Sequence, residues 1–259
     1  MNSSASAMKC VDNVIEFIEA ERTDKRGWYK LKNVDYILAI SNASDSIEVL
    51  SVGFIMTSFY DAENMADGGS RALSAVEKEA LSASVFTGML IGGLACGALS
   101  DQIGRKPCLT GSLFICSLAG ILSAFAPNVW FLAAMRVFVG LGVGGTVPSV
   151  FTLAAELAAA KSRGAILSLI ASFWMVGSIY AALTAWVTLG EDLNGERILK
   201  TTTWRSYALI SAIPSFVSCF LTYVYMPESP RYLVKKGEFG TAALELQKLL
   251  HTEGLVSSE

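Results

Sequence analysis

Charge is scarce in this chain. Only 17% of its 259 residues are charged, against roughly a quarter in ordinary soluble domains. Histidine is nearly missing: the single copy, His251, lies in a polar C-terminal stretch, which removes histidine acid–base chemistry and histidine-rich metal sites from consideration. There is no excess of positive charge either, since the formal net charge is -3, so nucleic acid is not an expected partner. The five cysteines, Cys10, Cys96, Cys108, Cys116 and Cys219, form no C-x-x-C pair. Four fall in or at the ends of apolar runs, which reads as buried thiols rather than a disulfide framework or zinc site. The opening segment MNSSASAMKCVDNVIEFIEAERTDKRG lacks the basic and apolar regions of a secretory signal, so the N-terminus is expected on the cytoplasmic side. Covalent chemistry, a cofactor and a bound metal are all unexpected, and an enzyme is not the expected reading.

What is present is apolar sequence, at 53% of residues, organised in runs. Crossing about 30 Å of hydrocarbon takes about 20 predominantly apolar residues. Five runs qualify at once: 81–100, 108–126, 130–155, 164–189 and 204–226. A sixth, 36–59, carries Asp45 and Glu48, each costing about 2.5–3.5 kcal/mol at a helix centre. Charge asymmetry decides in its favour. With six spans, only Arg71, Lys78, Arg197, Lys200 and Arg205 face away from the N-terminal side, Arg136 lies within a span, and the other fourteen lysines and arginines share the N-terminal side. Without the first span the division becomes eleven against eight, which specifies almost no orientation. The expected organisation is therefore a cytoplasmic segment 1–35, a six-helix bundle over 36–226 and a cytoplasmic tail 227–259, with both termini cytoplasmic. Trp130 and Trp204 then open spans at the outer interface and Trp28 precedes the first span at the inner one.

Small residues have positional meaning in such runs. Gly88, Gly92, Gly93 and Gly97 form two G-x-x-x-G pairs, which let a neighbouring backbone come close. Gly140, Gly142, Gly144 and Gly145 thin the fourth run, and Pro148 removes a backbone hydrogen bond there, so close approach and a bend are expected. Gly140, Gly142 and Gly145 also spell G-x-G-x-x-G, but inside an apolar span the dinucleotide fingerprint has no strand and no phosphate-facing loop to belong to. Before the membrane, Val11, Val14, Ile15 and Ile18 recur at helical spacing, the pattern of a short amphipathic helix. FGTAALELQKLL repeats that pattern after the last span.

Asp45 and Glu48 stand three apart, on one face of the first helix. At 1.5 Å per residue, Glu48 lies about 12 Å below the outer boundary and Arg136 about 9 Å below it. An ion pair between the first and fourth spans is therefore expected, leaving Asp45 without an obvious partner. Intramembrane ionisable residues usually line substrate or proton pathways, and a carboxylate there could attract a cationic solute or take up a proton. Two blander readings remain beside it: the three groups merely hold the bundle together, or the first run is a surface helix.

GALSDQIGRKP, between the second and third spans, places Asp101, Gly104, Arg105 and Lys106 in a tight turn. This G-x-L-S-D-x-x-G-R-K loop resembles the loop motif of the major facilitator superfamily. RVFVGLGVGG and PESPRYL (Pro227 to Leu233) resemble two further motifs of its sugar-porter-like and organic-ion branches. DSIEVLSVGF, SFWMVGSIYAALTAW and WRSYALISAIPSF are most similar to the synaptic-vesicle-glycoprotein-two-related transporters, close relatives of organic cation transporters. The F-G-Y-D of sugar porters is absent, and ERTDKRGWYKLKN departs from the G-F-G-R-F-Q-like approach of relatives.

The resemblance implies an all-α membrane fold of two six-helix halves, each a 3+3 inverted repeat, of which this chain supplies the N-terminal one. It implies that Asp101, Gly104, Arg105, Lys106, Glu156, Arg163, Glu228 and Arg231 form a cytoplasmic network that latches the outward-open state. It further brings Asp45, Glu48, Arg136, Trp174 and Tyr180 toward a central solute cavity. The expected function is transport of a small organic solute, with or without a proton, in a plasma or vesicle membrane. A second half is then needed for alternating access, so the chain is expected to be a truncated product, a half that pairs with another chain, or one that forms a homodimer. The alternative is a non-transporting membrane protein that binds or regulates a full-length relative. N-x-S patterns at Asn2 and Asn42 fall on the inner side and within a span, so neither is expected to carry glycan.

Overall fold

The computed structural model describes residues 2–22, 33–60, 74–190 and 204–252. Trp28, Arg71, Arg197 and Lys200, used in the charge and belt readings above, lie outside the described residues. Every regular element among the described residues is a helix: α1 (Asn2–Arg22), α2 (Asn33–Tyr60), α3 (Ala75–Ile103), α4 (Arg105–Ala124), α5 (Val129–Leu157), α6 (Arg163–Leu189), α7 (Trp204–Tyr225), α8 (Pro230–Lys236) and α9 (Phe239–Thr252). Six of them, α2 to α7, are long and apolar enough to cross a bilayer, and the chain is an integral, multi-pass membrane protein.

Helix ends follow local sequence. Ser74 accepts from the N–H of Glu77, whose side chain returns to the N–H of Ser74, a capping box that starts α3. Asn128 caps α5 through the N–H of Phe131 at 2.7 Å. Ser229 caps α8, Pro230 occupies its first turn, and Gly237 ends it in the left-handed region at φ 87°.

Helix neighbours reveal a repeat. α3 packs on α5 and α2 on α6; α4 packs on α5 and α2 on α7; α4 and α7 pack on each other. Exchanging α2, α3 and α4 for α5, α6 and α7 maps this set onto itself, the relation that an inverted three-plus-three repeat produces. The first span is the most enclosed: 67% of its apolar window is buried, against 28% for α3 and 22% for α6. The outward faces of α3, α6 and α7 carry Leu90, Leu94, Met175, Ile179, Phe216 and Phe220, as a surface presented to lipid should.

The tightest seam joins α3 to α5, and glycine makes it. A Cβ on Gly88 would strike the backbone of Val137, and one on Gly92 that of Leu141; reciprocally, Gly140 abuts Val85 and Gly144 abuts Met89. Gly142 instead meets α4 at Cys116 and Ser112. The second G-x-x-x-G pair differs from expectation. Gly93 has only ordinary contact with Gly144 at 3.5 Å, and Gly97 has nothing within 4 Å, because a five-residue offset rotates that pair away from α5. Despite Pro148, α5 is continuous.

Two other expectations are corrected. Trp130 is 60% exposed, but Trp204 is 7% exposed. It packs with Val52, Leu132 and Tyr207 instead of sitting at an interface. Of the cysteines in apolar runs only Cys116 is buried; Cys96, Cys108 and Cys219 are half-buried, and all five are free thiols. Outside the bundle, α1 docks by Val11 and Ile15 against Tyr232, Leu233, Ala242 and Leu246 of α8 and α9, and Asp12 pairs with Arg231 at 3.0 Å.

Candidate functional site

Polar residues concentrate in α2, the most enclosed helix. Ser41, Ser44, Asp45, Glu48 and Ser51 fall on one face at about 100° per residue, and all are buried. Asn42 and Ser46 fall on the other. The two faces have different neighbours. Asn42 donates to the carbonyl of Ile170 on α6 at 2.9 Å, and Gly177 of α6 abuts Ala43 and Ser46. The carboxylate face turns toward α4, α5 and α7.

Arg136 of α5 enters that face with 1% of its side chain exposed, as is Glu48. Its Nη1 donates to Glu48 Oε2 at 3.2 Å and to Ser51 Oγ at 2.9 Å. Its Nη2 donates to Ser123 Oγ of α4 at 3.1 Å. Both serines hold their oxygens in place by donating to their own helices, Ser51 to the Glu48 carbonyl at 2.7 Å and Ser123 to that of Gly120 at 2.6 Å. A buried ion pair is tolerated when surrounding hydrogen bonds satisfy its remaining groups. Here that satisfaction is incomplete, since Glu48 Oε1 and Arg136 Nε have no hydrogen-bond partner among the described residues.

Asp45 is the extreme case. It is 0% exposed, and neither carboxylate oxygen has a hydrogen-bond partner among the described residues. An unpaired buried carboxylate is among the most costly groups a fold can hold, and α2 supplies no counter-charge for it. Ion binding or proton uptake would discharge that cost.

Trp174 and Tyr180 do not join this cluster. Both are half-buried on α6, and the Tyr180 hydroxyl donates to the Ile210 carbonyl at 3.5 Å. That bond turns Tyr180 to α7. The three charged residues themselves lie inside the half-bundle.

At one end of the bundle the loop residues build a second polar centre. Gly104 sits at φ 120° and ψ 162°, a region essentially reserved for glycine, and a Cβ there would strike Glu228 Oε2. As the residue before α4 it has no side chain with which to cap. Glu228 does so from afar: its Oε1 accepts from the N–H groups of Arg105 at 3.0 Å and Lys106 at 3.1 Å, where the helix dipole favours negative charge. Arg105 pairs with Asp101 at 2.6 Å and with Glu156 at 3.3 Å, donates to the Ser100 carbonyl at 2.6 Å and stacks over Tyr232 at 5.3 Å. Arg231 reaches the carbonyls of Ala155 and Ala158 at 3.4 and 3.5 Å, as well as Asp12. Arg163 lines a neighbouring cavity of about 330 Å³ with Met8, Asp12, Glu16 and Arg231. It makes no ion pair with Glu156 among the described residues.

Replacing Gly104 by alanine is expected to destabilise this end by about 1–3 kcal/mol. Glu228→Gln should raise amide exchange at Arg105 and Lys106 while leaving the α4 interior protected; equal protection in both variants would show that the distant cap is idle.

The sequence motifs named Asp101, Arg105 and Glu228 but missed Tyr232, Ser100 and Asp12. Tyr232 lies within P-E-S-P-R-Y-L, so it was within reach. Its place under Arg105 was not, because 127 positions separate the two.

Residues 36–259 match the family described as Sugar (and other) transporter. The chain belongs to that family. It is 32% identical to human synaptic vesicle glycoprotein 2C over 219 residues, covering 83% of this chain and 29% of that protein. It is also 32% identical to human synaptic vesicle glycoprotein 2A over 220 residues, with 84% and 28% covered. Among solved structures, the major facilitator proton:xylose symporter XylE bound to 6-bromo-6-deoxy-D-glucose superposes with a TM-score of 0.68 at 22% identity, over 84% of this chain and 49% of that one. A partially occluded inward-open XylE from E. coli gives the same score and identity over 86% and 55%. The chain thus spans under a third of the synaptic vesicle relatives and about half of XylE, and its fold is the N-terminal half of a major facilitator transporter of the synaptic-vesicle-glycoprotein-two-related branch. The family is one of carriers, not of enzymes.

Proposed function

We propose that this chain is the N-terminal half of a secondary transporter for a small organic solute, working by alternating access with a second six-helix half. The reading is carried by Asp45, a fully buried carboxylate with both oxygens unpartnered, beside a buried Glu48–Arg136 pair. Groups so costly persist in spans when they bind or carry charge. In this reading Asp45 takes up the coupling proton or balances a cationic solute, and Glu48 and Arg136 hold its surroundings polar.

The Asp101–Arg105–Glu156 cluster and the Glu228 cap act as the cytoplasmic latch. They tie the α3–α4 turn to the end of α5 and to the segment after α7, so the two three-helix repeats move as one body while they hold. Lys106, Arg163 and Arg231 extend the same surface. Both termini lie on this cytoplasmic side. The second half is supplied downstream in the same protein, by another chain or by a second copy.

The test is uptake into proteoliposomes carrying the chain with a C-terminal half supplied in trans or in cis, screened against organic cations, zwitterions and sugars with and without a pH gradient. Saturable uptake that needs both halves supports transport. Specific, stable association of the halves with no solute moved under any gradient overturns it in favour of an interaction or regulatory protein.

A further inference from the structure

Asp45 raises a problem of access. The rocking cleft of a two-half carrier is lined by the outer faces of a half-bundle, whereas Asp45 is 0% exposed inside this one. A proton reaching it must come through the half itself.

The hydroxyls mark a way in. Most buried hydroxyls here are spent on their own helices: those of Ser41, Ser44, Ser51, Ser84, Ser123, Thr146 and Ser149 each donate to a carbonyl three or four residues back. Others face away from their own carbonyls. Thr110 and Thr222 have buried hydroxyl oxygens with no hydrogen bond among the described residues, Ser218 donates across to Ser41, and Ser215 lies beside the Glu48 carboxylate and Cys116. All four lie on α4 or α7, helices that pack on each other and flank the carboxylate face of α2.

Their order along the seam is fixed by three contacts. Ser218 donates to Ser41 at 2.9 Å, and α2 and α7 run in opposite directions, so Asp45, one turn beyond Ser41, comes level with Ser215. Gly120 touches both Glu48 and Ala212, which sets Glu48 level with the turn holding Ser211. Cys219 Sγ approaches the Thr110 carbonyl at 3.7 Å, so Thr110 and Thr222 share a depth near the latch. Positions 211, 215, 218 and 222 fall on one face of α7 and extend over about 16 Å. At the other end of this face of α7 stands Tyr207, 0% exposed, whose ring meets that of Phe54 on α2 edge-on at 5.9 Å and whose hydroxyl donates to the Ala181 carbonyl of α6 at 3.5 Å.

We propose that Asp45 exchanges its proton with solvent at the latch end of the bundle through a file of water held between α4 and α7 by Ser215, Ser218, Thr222 and Thr110. On release the carboxyl O–H bond breaks, the proton passes to the adjacent water, and each water hands one onward. One proton leaves at the latch and a carboxylate remains at Asp45, with no other reactant consumed. Uptake runs the same chain backwards. Unsatisfied buried hydroxyls are the groups that hold internal water, and a file on one side only would tie proton access to the cytoplasmic face. The proposal rests on Asp45 being the titrating group of the site.

Infrared spectroscopy of the reconstituted full chain tests it through the deuterium exchange of the carboxyl stretch, assigned by its loss in Asp45→Asn and retention in Glu48→Gln. The near-isosteric variants Thr110→Val and Thr222→Val should slow that exchange at least tenfold. Thr222→Ser should restore the original rate, and Thr188→Val at the far end of α6 should leave it unchanged. Exchange equally fast in the valine variants, or an Asp45 band absent or never exchanging in the native chain, overturns the water file. Transport is read separately: uptake lost in Asp45→Asn with exchange unaltered in Thr222→Val sinks the path alone, whereas uptake retained in Asp45→Asn sinks the coupling reading.

Discussion

Replacing Arg136 by leucine is expected to cost about 3–5 kcal/mol of stability, the range seen when one partner of a buried ion pair is removed. Glu48 would be left at 1% exposure with no counter-charge, and Ser51 and Ser123 would lose the donor they now receive. Adding Glu48→Gln should recover most of the loss, because a pair replaced on both sides leaves no buried charge behind. The measurement is thermal unfolding in detergent, run as a double-mutant cycle. A double variant no more stable than the single one would show that Glu48 and Arg136 do not sense each other.

Asp45→Asn should act in the opposite direction on stability. Asparagine keeps the shape and removes the charge, so the melting temperature should stay level or rise. Uptake by the assembled transporter should meanwhile fall about a hundredfold or more, the scale on which a lost proton-transfer group is felt. Higher stability with lower activity is the signature of a residue kept for work. A variant that unfolds would instead mean that Asp45 has a structural partner, and one that transports normally would remove it from the cycle.

Which of these features could be read from the sequence depended on range. The six runs were legible because each is a local apolar stretch, and the marginal one was rescued by the lysine and arginine distribution over the whole chain. The Glu48–Arg136 pairing followed from depth alone, since helical rise converts residue number into height in a bilayer. Azimuth was harder. That Glu48 meets Arg136 of α5 while Asn42, on the other face of α2, meets α6 depends on how the helices are rotated against one another, and no local pattern specifies that rotation. Trp204 was misplaced for a similar reason: an aromatic at a helix start looks interfacial until its neighbours are known. The orphan hydroxyls of α7 stood at regular spacing in plain view, yet only the fold shows which serines have spent their protons on their own carbonyls.

The cap on α4 has a consequence for synthesis. Arg105 and Glu228 are 123 positions apart, so at about 5–20 residues per second the ribosome adds the capping residue roughly 6–25 s after it adds the first residue of the helix that Glu228 caps. During that interval three more spans must be delivered, and the start of α4 stays open. A nascent chain halted before residue 228 would hold α2 to α7 with the first turn of α4 still uncapped.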